Sequence, residues 1–347
     1  MKLLFCALAG PKFGYGHLNR CLSIAEFARK QGLVTAFHVL GQGADTLRKR
    51  GYTATETAWP GILSSIPVVG DAARTVVIID VAHPSIFSRL SELGTLLQML
   101  RKLGHKLVAI DSLGDYSFAT ALPMIPVDAI VAPYVGAEII PGTPAVMLVG
   151  PKYAVLSTDY ADMPVRRIKK TAGRILVTFG GSDPQALTLV VLAALALIKR
   201  KLHVRVVIGP LFSARMTAQI ETQTANLYHD VELLPAPNGL VEHMQWADIA
   251  VASSGLVKYE LAATGTPGIL VSIDEAHDLA NRSFSQQHLQ RDLGVTSDAS
   301  VVSEAIEELL DSPTERCAMA KRGQRLIDGK GVERLIAAVQ SAAERHH

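Results

Sequence analysis

The feature that most limits the fold of this chain is an alternation of strand-like and helix-like segments, run through twice. Continuous apolar runs such as LLFCALA (3–9), TVVIID (75–80) and RILVTF (174–179) are typical of strands buried on both faces of a parallel sheet. Amphipathic stretches lie between such runs, as between Leu18 and Gly32. The alternation predicts an α/β fold made of doubly wound parallel sheets with helices on both faces.

The alternation breaks between about residues 154 and 173, where the polar stretch STDYADMPVRRIKKTAG predicts an exposed connection. We therefore expect an N-terminal Rossmann-like domain over 1–155, a C-terminal Rossmann-like domain over 172–312 and a helical tail over 313–347. Each half opens with a strand, a glycine loop and a helix. Two such lobes that face each other would leave an interdomain cleft, where ligands of these folds usually bind.

Composition argues against several classes of function. A chain of 347 residues, 49% of them apolar, is long enough for two packed domains. Its net charge of +2 comes from scattered basic residues, which does not predict a nucleic-acid partner. The apolar run ALTLVVLAALALI (186–198) is too short to cross a bilayer, and MKLLFCALAG (1–10) predicts a strand rather than a signal peptide. Three cysteines without metal spacing favour a cytoplasmic compartment.

The loop GYGHLNR (14–20) leads from the first strand into the first helix. Gly14 and Gly16 leave its backbone open, and His17 lies near the helix N-terminus, with Arg20 three residues further on. We expect Gly14, Gly16 and Arg20 to contact the diphosphate of a bound nucleotide. The helix dipole disfavours an imidazolium there, and a neutral imidazole can accept a proton from water or an alcohol. The alternative is that His17 caps its helix or packs under the glycine loop.

A second loop, FGGSDP (179–184), opens the second half. Gly180 and Gly181 permit a close backbone approach, Ser182 or Asp183 can cap the following helix, and the proline fits its first turn. Free amides at that helix start suit a phosphate. The loop lacks the Walker lysine and the full GxGxxG spacing, so an ordinary strand-to-helix turn is the alternative.

A third loop, ASSGLVKYE (252–260), places Ser253, Ser254 and Gly255 before another helix, where hydroxyls and amides can meet a second phosphate oxygen. Glu260 lies on the first turns of that helix and can accept hydrogen bonds from both hydroxyls of a ribose. Complementation of the helix dipole is the simpler role for such a glutamate.

A fourth region, SIDEAHDLANRSFSQQ (272–287), is polar and follows an apolar strand. Asp274, His277, Asn281 and Gln286 could meet sugar hydroxyls from this region, although a merely solvated loop has the same composition.

Two aspartates of the first half, Asp80 and Asp111, each end a strand, and His83 stands close behind the first of them. Their carboxylates could orient a water or bind sugar hydroxyls, with strand-end capping as the competing explanation. No HExxH, paired cysteines or DxD motif is present, so we expect neither a metal nor a cofactor.

Four segments together resemble a known family: GYGHLNRCLSIAEFARKQG, GPKYAVL, FGGSDPQALT and ASSGLVKYELAATGTPGILV. They are similar to the nucleotide-sugar hydrolases of the pseudaminic acid pathway, which release UDP from UDP-2,4-diacetamido-2,4,6-trideoxy-β-L-altropyranose. The resemblance covers about residues 3–295 and implies a GT-B fold. It also implies that His17 is the catalytic histidine and Glu260 the ribose-binding acid, and that Ser253, Ser254 and the Gly180–Gly181 loop cradle the diphosphate.

The chain departs from that family in its first half. The hydrolases commonly carry Asp-His-Tyr where this chain has Asp80, Val81 and Ala82, and paired aspartates where it has Asp111 and Ser112. Nucleotide-sugar binding therefore follows more directly than the fate of the sugar. We expect a UDP-sugar hydrolase that is a monomer or weak dimer. A metal-independent GT-B glycosyltransferase and a non-catalytic nucleotide-sugar-binding protein stay open as alternatives.

Overall fold

A computed structural model of the chain describes residues 1–10, 13–58, 75–111, 118, 126–142 and 145–344. It contains two compact units, of which unit 1 comprises Met1–Thr158 and Lys330–His347 and unit 2 comprises Asp159–Gly329. The segment expected to form a C-terminal tail is thus divided between the two units.

Unit 1 is built on a parallel sheet. Its strands within the described residues are β1 (Lys2–Ala9), β2 (Val34–Gly41), β3 (Thr53–Thr57), β4 (Thr75–Asp80), β5 (Lys106–Ile110), β6 (Ala129–Ala132) and β7 (Val146–Val149). They lie in the order β3-β2-β1-β4-β5-β6-β7. The helices between them are α1 (Gly16–Lys30), α2 (Ala44–Lys49), α3 (Pro84–Phe87) and α4 (Leu90–Lys102).

Unit 2 repeats this plan. Its described strands are β8 (Arg174–Thr178), β9 (His203–Ile208), β10 (Asp230–Pro235), β11 (Ile249–Ala252), β12 (Gly268–Leu270) and β13 (Arg291–Asp292), all parallel and ordered β10-β9-β8-β11-β12-β13. Its helices are α5 (Leu187–Leu197), α6 (Ala214–Ala225), α7 (Val241–Trp246), α8 (Val257–Thr264), α9 (Glu275–Gln286), α10 (Ala299–Asp311) and α11 (Pro313–Leu326). The predicted fold class, two doubly wound parallel-sheet domains, is confirmed.

The last helix, α12 (Gly331–Glu344), belongs to unit 1. Its apolar residues join the core on the α1 face of the first sheet, among them Val332, Leu335 and Ile336. The side chains of β1 alternate between this face and the opposite one, which α4 covers. Because both faces of the strand are buried, every residue of β1 after Lys2 is apolar.

Three elements differ from the sequence prediction. The helix expected from Asp183 begins only at Leu187. The region 272–287, expected to be a polar loop, contains α9, which Asp274 caps by accepting a hydrogen bond from the backbone amide of His277 at 2.9 Å. The sequence NRSFSQQHLQRDLG (281–294) predicts a helix, and this prediction is wrong in its second half, because the chain leaves α9 after Gln286 and enters β13 at Arg291. The first residues of α9 are mostly polar, so the sequence did not indicate that the helix begins at Glu275.

Across the described residues, no helix is long and apolar enough to cross a membrane.

Candidate active site and nucleotide-binding loops

In each unit, the strand order of the sheet reverses at one point, and the predicted loops follow the strands on either side of that point. In unit 1, β1 lies between β2 and β4, and in unit 2, β8 lies between β9 and β11. Ligands of open α/β sheets bind beyond the carboxyl ends of strands at such a switch point. His17 follows β1 and Asp80 ends β4, whereas Gly180 follows β8 and Ser253 follows β11. The topology therefore brings the predicted loops together in pairs within each unit.

His17 and Asp80 are in direct contact at the unit 1 switch point. The Nδ1 atom of His17 lies 2.7 Å from Oδ1 of Asp80, whose side chain is fully buried, while 14% of the His17 side chain is exposed. An ionised carboxylate can only accept hydrogen bonds, so this contact requires the proton on Nδ1. The neutral imidazole then carries its free lone pair on Nε2, the arrangement that a general base needs.

Arg20 holds the same carboxylate from the other side. Its Nε donates to Oδ2 of Asp80 at 2.8 Å and its Nη2 donates to Oδ1 at 2.6 Å, a bidentate pair. Nη2 also lies 3.0 Å from Nδ1 of His17, but both atoms carry hydrogens, so we interpret this as packing rather than a hydrogen bond. Arg20 was predicted to bind the diphosphate, and the structure places its guanidinium on Asp80.

Charge decides the ionisation of this buried cluster. Burial alone would raise the pKa of Asp80, but Arg20 and His17 outweigh it and hold the pKa of Asp80 below its ordinary value. Burial would likewise lower the pKa of Arg20, and the Asp80 carboxylate raises it above the usual range. The pair is thus a buried ion pair, with His17 on its exposed side.

The loop that carries His17 is open. Gly14 has a φ of +69°, which favours glycine, and its carbonyl accepts a hydrogen bond from Gly10 at 3.1 Å. A Cβ atom placed on Gly14 or Gly16 would meet no other atom within 4 Å. These glycines therefore leave space beside His17.

Sequence reasoning missed Tyr134, which lies two residues beyond β6 and is half-buried. Its hydroxyl donates a hydrogen bond to the backbone carbonyl of Asp111. Polar residues at the carboxyl ends of β4 and β5 were chosen as candidates. The same criterion applied to β6 identifies Tyr134.

The other predicted residues of unit 1 are in structural positions. Asp111 is 1% exposed and its Oδ1 accepts a hydrogen bond from the Phe118 amide at 2.6 Å, which fits strand-end capping; its predicted role in sugar binding stays a prediction. His83 accepts a hydrogen bond from the Ser85 amide at 3.1 Å. Val81 and Ala82 are buried in the core on the α4 face. Ser112 lies outside the described residues.

In unit 2, the loop after β8 does not offer the amides that we expected. The buried carboxylate of Asp183 accepts hydrogen bonds from the amides of Leu187 at 2.9 Å and Thr188 at 2.8 Å, the first two residues of α5. The prediction of free amides at this helix start is therefore wrong, because Asp183 already fills the position of an anion. Gly180, Gly181 and Ser182, also predicted to contact the diphosphate, remain exposed.

The loop after β11 has the opposite character. No side chain caps α8, which starts at Val257. Ser253 and Ser254 are buried, and the hydroxyl of Ser254 has no hydrogen-bond partner among the described residues. A buried hydroxyl without a partner is costly, and here it lies beside uncapped amides next to the exposed Gly255. This loop therefore fits an anionic ligand better than the loop after β8.

Glu260 lies on the first turns of α8, partly buried, with the hydroxyl of Tyr160 hydrogen-bonded to its carboxylate. Burial raises the pKa of Glu260 to about 7, and the hydrogen bond from Tyr160 only partly opposes this. Near neutral pH this carboxyl can therefore exist in both its charged and its neutral form.

The two predicted sugar-binding residues of α9 differ in accessibility. Asn281 is fully buried: its Oδ1 accepts from Nζ of Lys258 at 3.1 Å and its Nδ2 donates to Oγ of Ser272 at 2.9 Å. The prediction that Asn281 contacts sugar is wrong, because its amide is committed to this internal network. His277 has a side chain that is 45% exposed, paired through Nδ1 with Asp274 at 2.7 Å, and its role stays a prediction.

Burial lowers the pKa of Lys258 to about 7, and nearby Asp292 opposes this. Its Nζ lies 4.9 Å from the ring centroid of Phe284. Lys258, on α8, therefore contacts Asn281 and Phe284 of α9 in the interior of unit 2.

Comparisons with known proteins agree with this fold. Residues 174–335 match the model of the glycosyltransferase family 28 C-terminal domain, a range that includes both predicted nucleotide loops. The chain is 29% identical over 203 residues to the spore coat polysaccharide biosynthesis protein SpsG of Bacillus subtilis (strain 168). That alignment covers 56% of this chain and 58% of SpsG, so the chain matches little more than half of this relative.

Two solved structures share the architecture. The MurG structure from Acinetobacter baumannii superposes with a TM-score of 0.67 at 15% identity, covering 98% of this chain and 100% of that one. HepE of Anabaena, solved in complex with UDP-glucose, gives a TM-score of 0.59 at 14% identity and covers 99% and 100%. The chain therefore has a GT-B glycosyltransferase-like fold, and its second half is similar to the family 28 C-terminal domain.

Proposed function

We propose that this protein is an enzyme that transfers the sugar of a nucleotide sugar to an acceptor hydroxyl, with His17 as the general base. The observation that carries the proposal is the His17–Asp80 pair at the carboxyl ends of β1 and β4. Asp80 keeps the proton on Nδ1 and leaves Nε2 free beside a loop of open glycines.

The chemical step follows from that geometry. Nε2 of His17 takes the proton of the acceptor hydroxyl as the oxygen attacks the anomeric carbon. A new carbon–oxygen bond forms, the bond from the anomeric carbon to the diphosphate oxygen breaks, and the nucleoside diphosphate leaves with the electron pair. The Asp80 carboxylate stabilises the imidazolium that results.

Unit 2 is proposed to bind the nucleotide. The uncapped start of α8 and the Ser254 hydroxyl would meet the diphosphate oxygens, since amides and hydroxyls at a helix N-terminus suit an anion. The Glu260 carboxylate would accept hydrogen bonds from ribose hydroxyls. Support comes from the family 28 match, which spans these loops, and from HepE, which was solved with UDP-glucose.

Hydrolysis is the second candidate, because the same base can activate water. It is supported by the likeness of the GYGHLNR and FGGSDP loops to the pseudaminic acid pathway hydrolases, which would make a UDP-linked deoxy-amino sugar the substrate. The matched domain model is that of a glycosyltransferase and therefore favours transfer. The likeness to SpsG suggests a product for polysaccharide assembly in either case.

The deciding experiment incubates the pure protein with a panel of UDP-, dTDP- and CMP-sugars, with and without saccharide acceptors, and measures nucleotide release. Release that requires an acceptor supports transfer, and release into water alone supports hydrolysis. If nucleotide sugars bind without turnover, the protein is a binding module and the assignment of a catalytic base is wrong.

The raised pKa of Glu260 gives a testable pH dependence. We expect the affinity for UDP-glucose to increase between pH 6 and pH 8, because the charged carboxylate, which forms above the pKa of about 7, is the better hydrogen-bond acceptor. The phosphates of UDP-glucose keep the same charge over this range, so the ligand does not titrate. Isothermal calorimetry at several pH values measures the change.

Glu260→Gln is the matched variant, since the amide keeps the size of the side chain and cannot ionise. Its affinity should be weaker and independent of pH. Its free energy of unfolding should exceed that of the wild type at pH 8. In the wild type the pKa of Glu260 is about 7 when folded and 4.5 when unfolded, so stability falls as the pH rises from 4.5 through 7. The glutamine does not ionise and avoids this loss. An unchanged pH dependence in the variant would show that another group titrates.

A further inference from the structure

The glycine loop after β8 lies directly against the end of β9. Gly209 follows β9, and a Cβ atom placed on it would lie 2.4 Å from the carbonyl oxygen of Gly180 and 2.5 Å from that of Gly181. Real Cβ contacts below 3.0 Å essentially never occur, and here the contacted atoms are backbone, which cannot turn away as a flexible side chain can. The loop can lie this close because residue 209 has no side chain.

Space, and not backbone conformation, is what requires a glycine at this position. Gly209 is not one of the described glycines with a positive φ, so its φ is one that residues with side chains also adopt. The amide of Leu211 donates to the carbonyl of Gly181 at 2.9 Å, which joins the turn after β9 to the loop. A side chain at position 209 would therefore push against a loop that is held in place from the same side.

The carbonyls that face Gly209 set the direction of two amides. A peptide unit is planar and trans, so its N–H points away from its C=O. The carbonyls of Gly180 and Gly181 face Gly209, and the N–H groups of the same two peptide units, those of Gly181 and Ser182, therefore point away from it. Both residues are exposed, and within the part of the chain that the structure describes their amides have no hydrogen-bond partner. They are distinct from the amides of α5, which Asp183 occupies.

These two amides follow the strand next to the one that leads into the α8 loop. β8 pairs with β11, and at their carboxyl ends the amide of Ser253 donates to the carbonyl of Thr178 at 3.4 Å. The loop after β8 therefore leaves the sheet beside the loop that carries Ser254. Adjacent peptide amides that point outward can donate to the oxygens of a phosphate.

We propose that Gly209 is a positioning residue of the nucleotide site: without a side chain at 209, the loop after β8 lies against the end of β9 and directs the amides of Gly181 and Ser182 to the diphosphate. The contact with the diphosphate rests on the proposed function. The position of the loop does not, because it depends only on contacts within unit 2.

The first test is Gly209→Ala, with the binding of UDP and of uridine measured by calorimetry. We expect the Kd of UDP to rise about 10-fold, because the methyl group displaces the loop and a hydrogen bond to a charged group has about this weight. The Kd of uridine, which has no phosphate, should stay that of the wild type. Unchanged binding of UDP overturns the inference, and so does an equal weakening of both ligands, which would show a general disturbance of unit 2.

Gly173→Ala is the matched control. Gly173 precedes β8, at the opposite end of the strand from the loop, and its φ is not positive either. A Cβ atom on it would meet no other described atom within 4 Å, so its affinity for UDP should equal that of the wild type. Both changes restrict the unfolded chain in the same way, so a lower urea midpoint in Gly209→Ala than in Gly173→Ala measures the displacement of the loop.

Ser182→Pro keeps the proposal testable if Gly209→Ala does not fold. Proline removes one of the two amides, and this exposed amide has no partner within the described residues to lose. We expect the Kd of UDP to rise about 10-fold again, with that of uridine unchanged. In this background Gly209→Ala should weaken UDP binding less than it does in the wild type, since both changes act on the same amides. Wild-type affinity for UDP in Ser182→Pro, or fully additive losses, would contradict the proposal.

The position of the loop can be measured without nucleotide. In ¹H–¹⁵N NMR spectra, the amide signals of Gly181 and Ser182 should shift in Gly209→Ala and keep their positions in Gly173→Ala. Signals that do not shift in Gly209→Ala overturn the inference. If the wild type binds neither UDP nor a nucleotide sugar while these signals shift, the proposed function fails and the placement of the loop by Gly209 stands.

Discussion

His17→Ala will lower kcat by about 10²-fold or more, because a positioned general base normally supplies at least that factor. The loss should appear in kcat rather than in KM, since the imidazole is assigned to the reacting hydroxyl and not to the nucleotide. Steady-state kinetics with the nucleotide sugar that gives the highest turnover measures both constants.

The fold should survive this change. Arg20 and Asp80 keep their bidentate contact when the imidazole is removed, so no buried charge loses its partner. His203→Ala is the matched control: this histidine, with a side chain 62% exposed, begins β9 and so lies at the opposite end of a strand from the loops. If His17→Ala keeps its turnover within a factor of about three, the imidazole is not the base.

Asp80→Asn is expected to affect both activity and stability. The amide cannot neutralise Arg20, and leaving one partner of a buried ion pair uncompensated costs about 3 kcal/mol of unfolding free energy. It also frees the imidazole to adopt the other tautomer, so kcat should fall about 10²- to 10⁴-fold. Urea unfolding and kinetics measure the two losses. The double variant with His17→Ala should be no slower than His17→Ala alone, because the two residues act as a unit.

The loss of unfolding free energy in Asp80→Asn should become smaller at acid pH. The pKa of Asp80 is lower in the folded state than its ordinary value of 3.8, so its stabilising contribution is complete above about pH 5 and is lost as the pH falls through the folded-state pKa. The difference between wild type and Asp80→Asn should therefore be constant from pH 5 to pH 8 and shrink in acid. Asp45→Asn, which disrupts an exposed pair with Arg48, should leave the urea midpoint unchanged. A difference that grows in acid would contradict the ion pair.

The sequence predicted the sheets well because their strands are buried on both faces and therefore read as continuous apolar runs, as in β1 and β4. The ends of these strands also direct attention to His17, which follows β1, and to Asp80, which ends β4. The two side chains are in contact because β1 pairs with β4, and this strand pairing cannot be read from the sequence.

The wrong site predictions have one cause. The sequence shows that a residue is polar, but it does not show which group its side chain contacts in the fold. Asn281 is expected to meet a sugar, but its amide is buried against Lys258 and Ser272. The amides expected to be free at the start of α5 are held by Asp183 in the same way. The resembling family carries a tyrosine where this chain has Ala82, and Ala82 packs in the core. Such assignments depend on tertiary contacts and not on local pattern.

The return of α12 to unit 1 has a consequence for how the protein is made. All of unit 2, from Asp159 to Gly329, leaves the ribosome before the helix whose Leu335 and Ile336 complete the core beside α1. During synthesis, unit 2 can fold while the apolar core beside α1 in unit 1 still lacks α12. A nascent chain halted before α12 would therefore expose this apolar surface of unit 1 and be a target for chaperones.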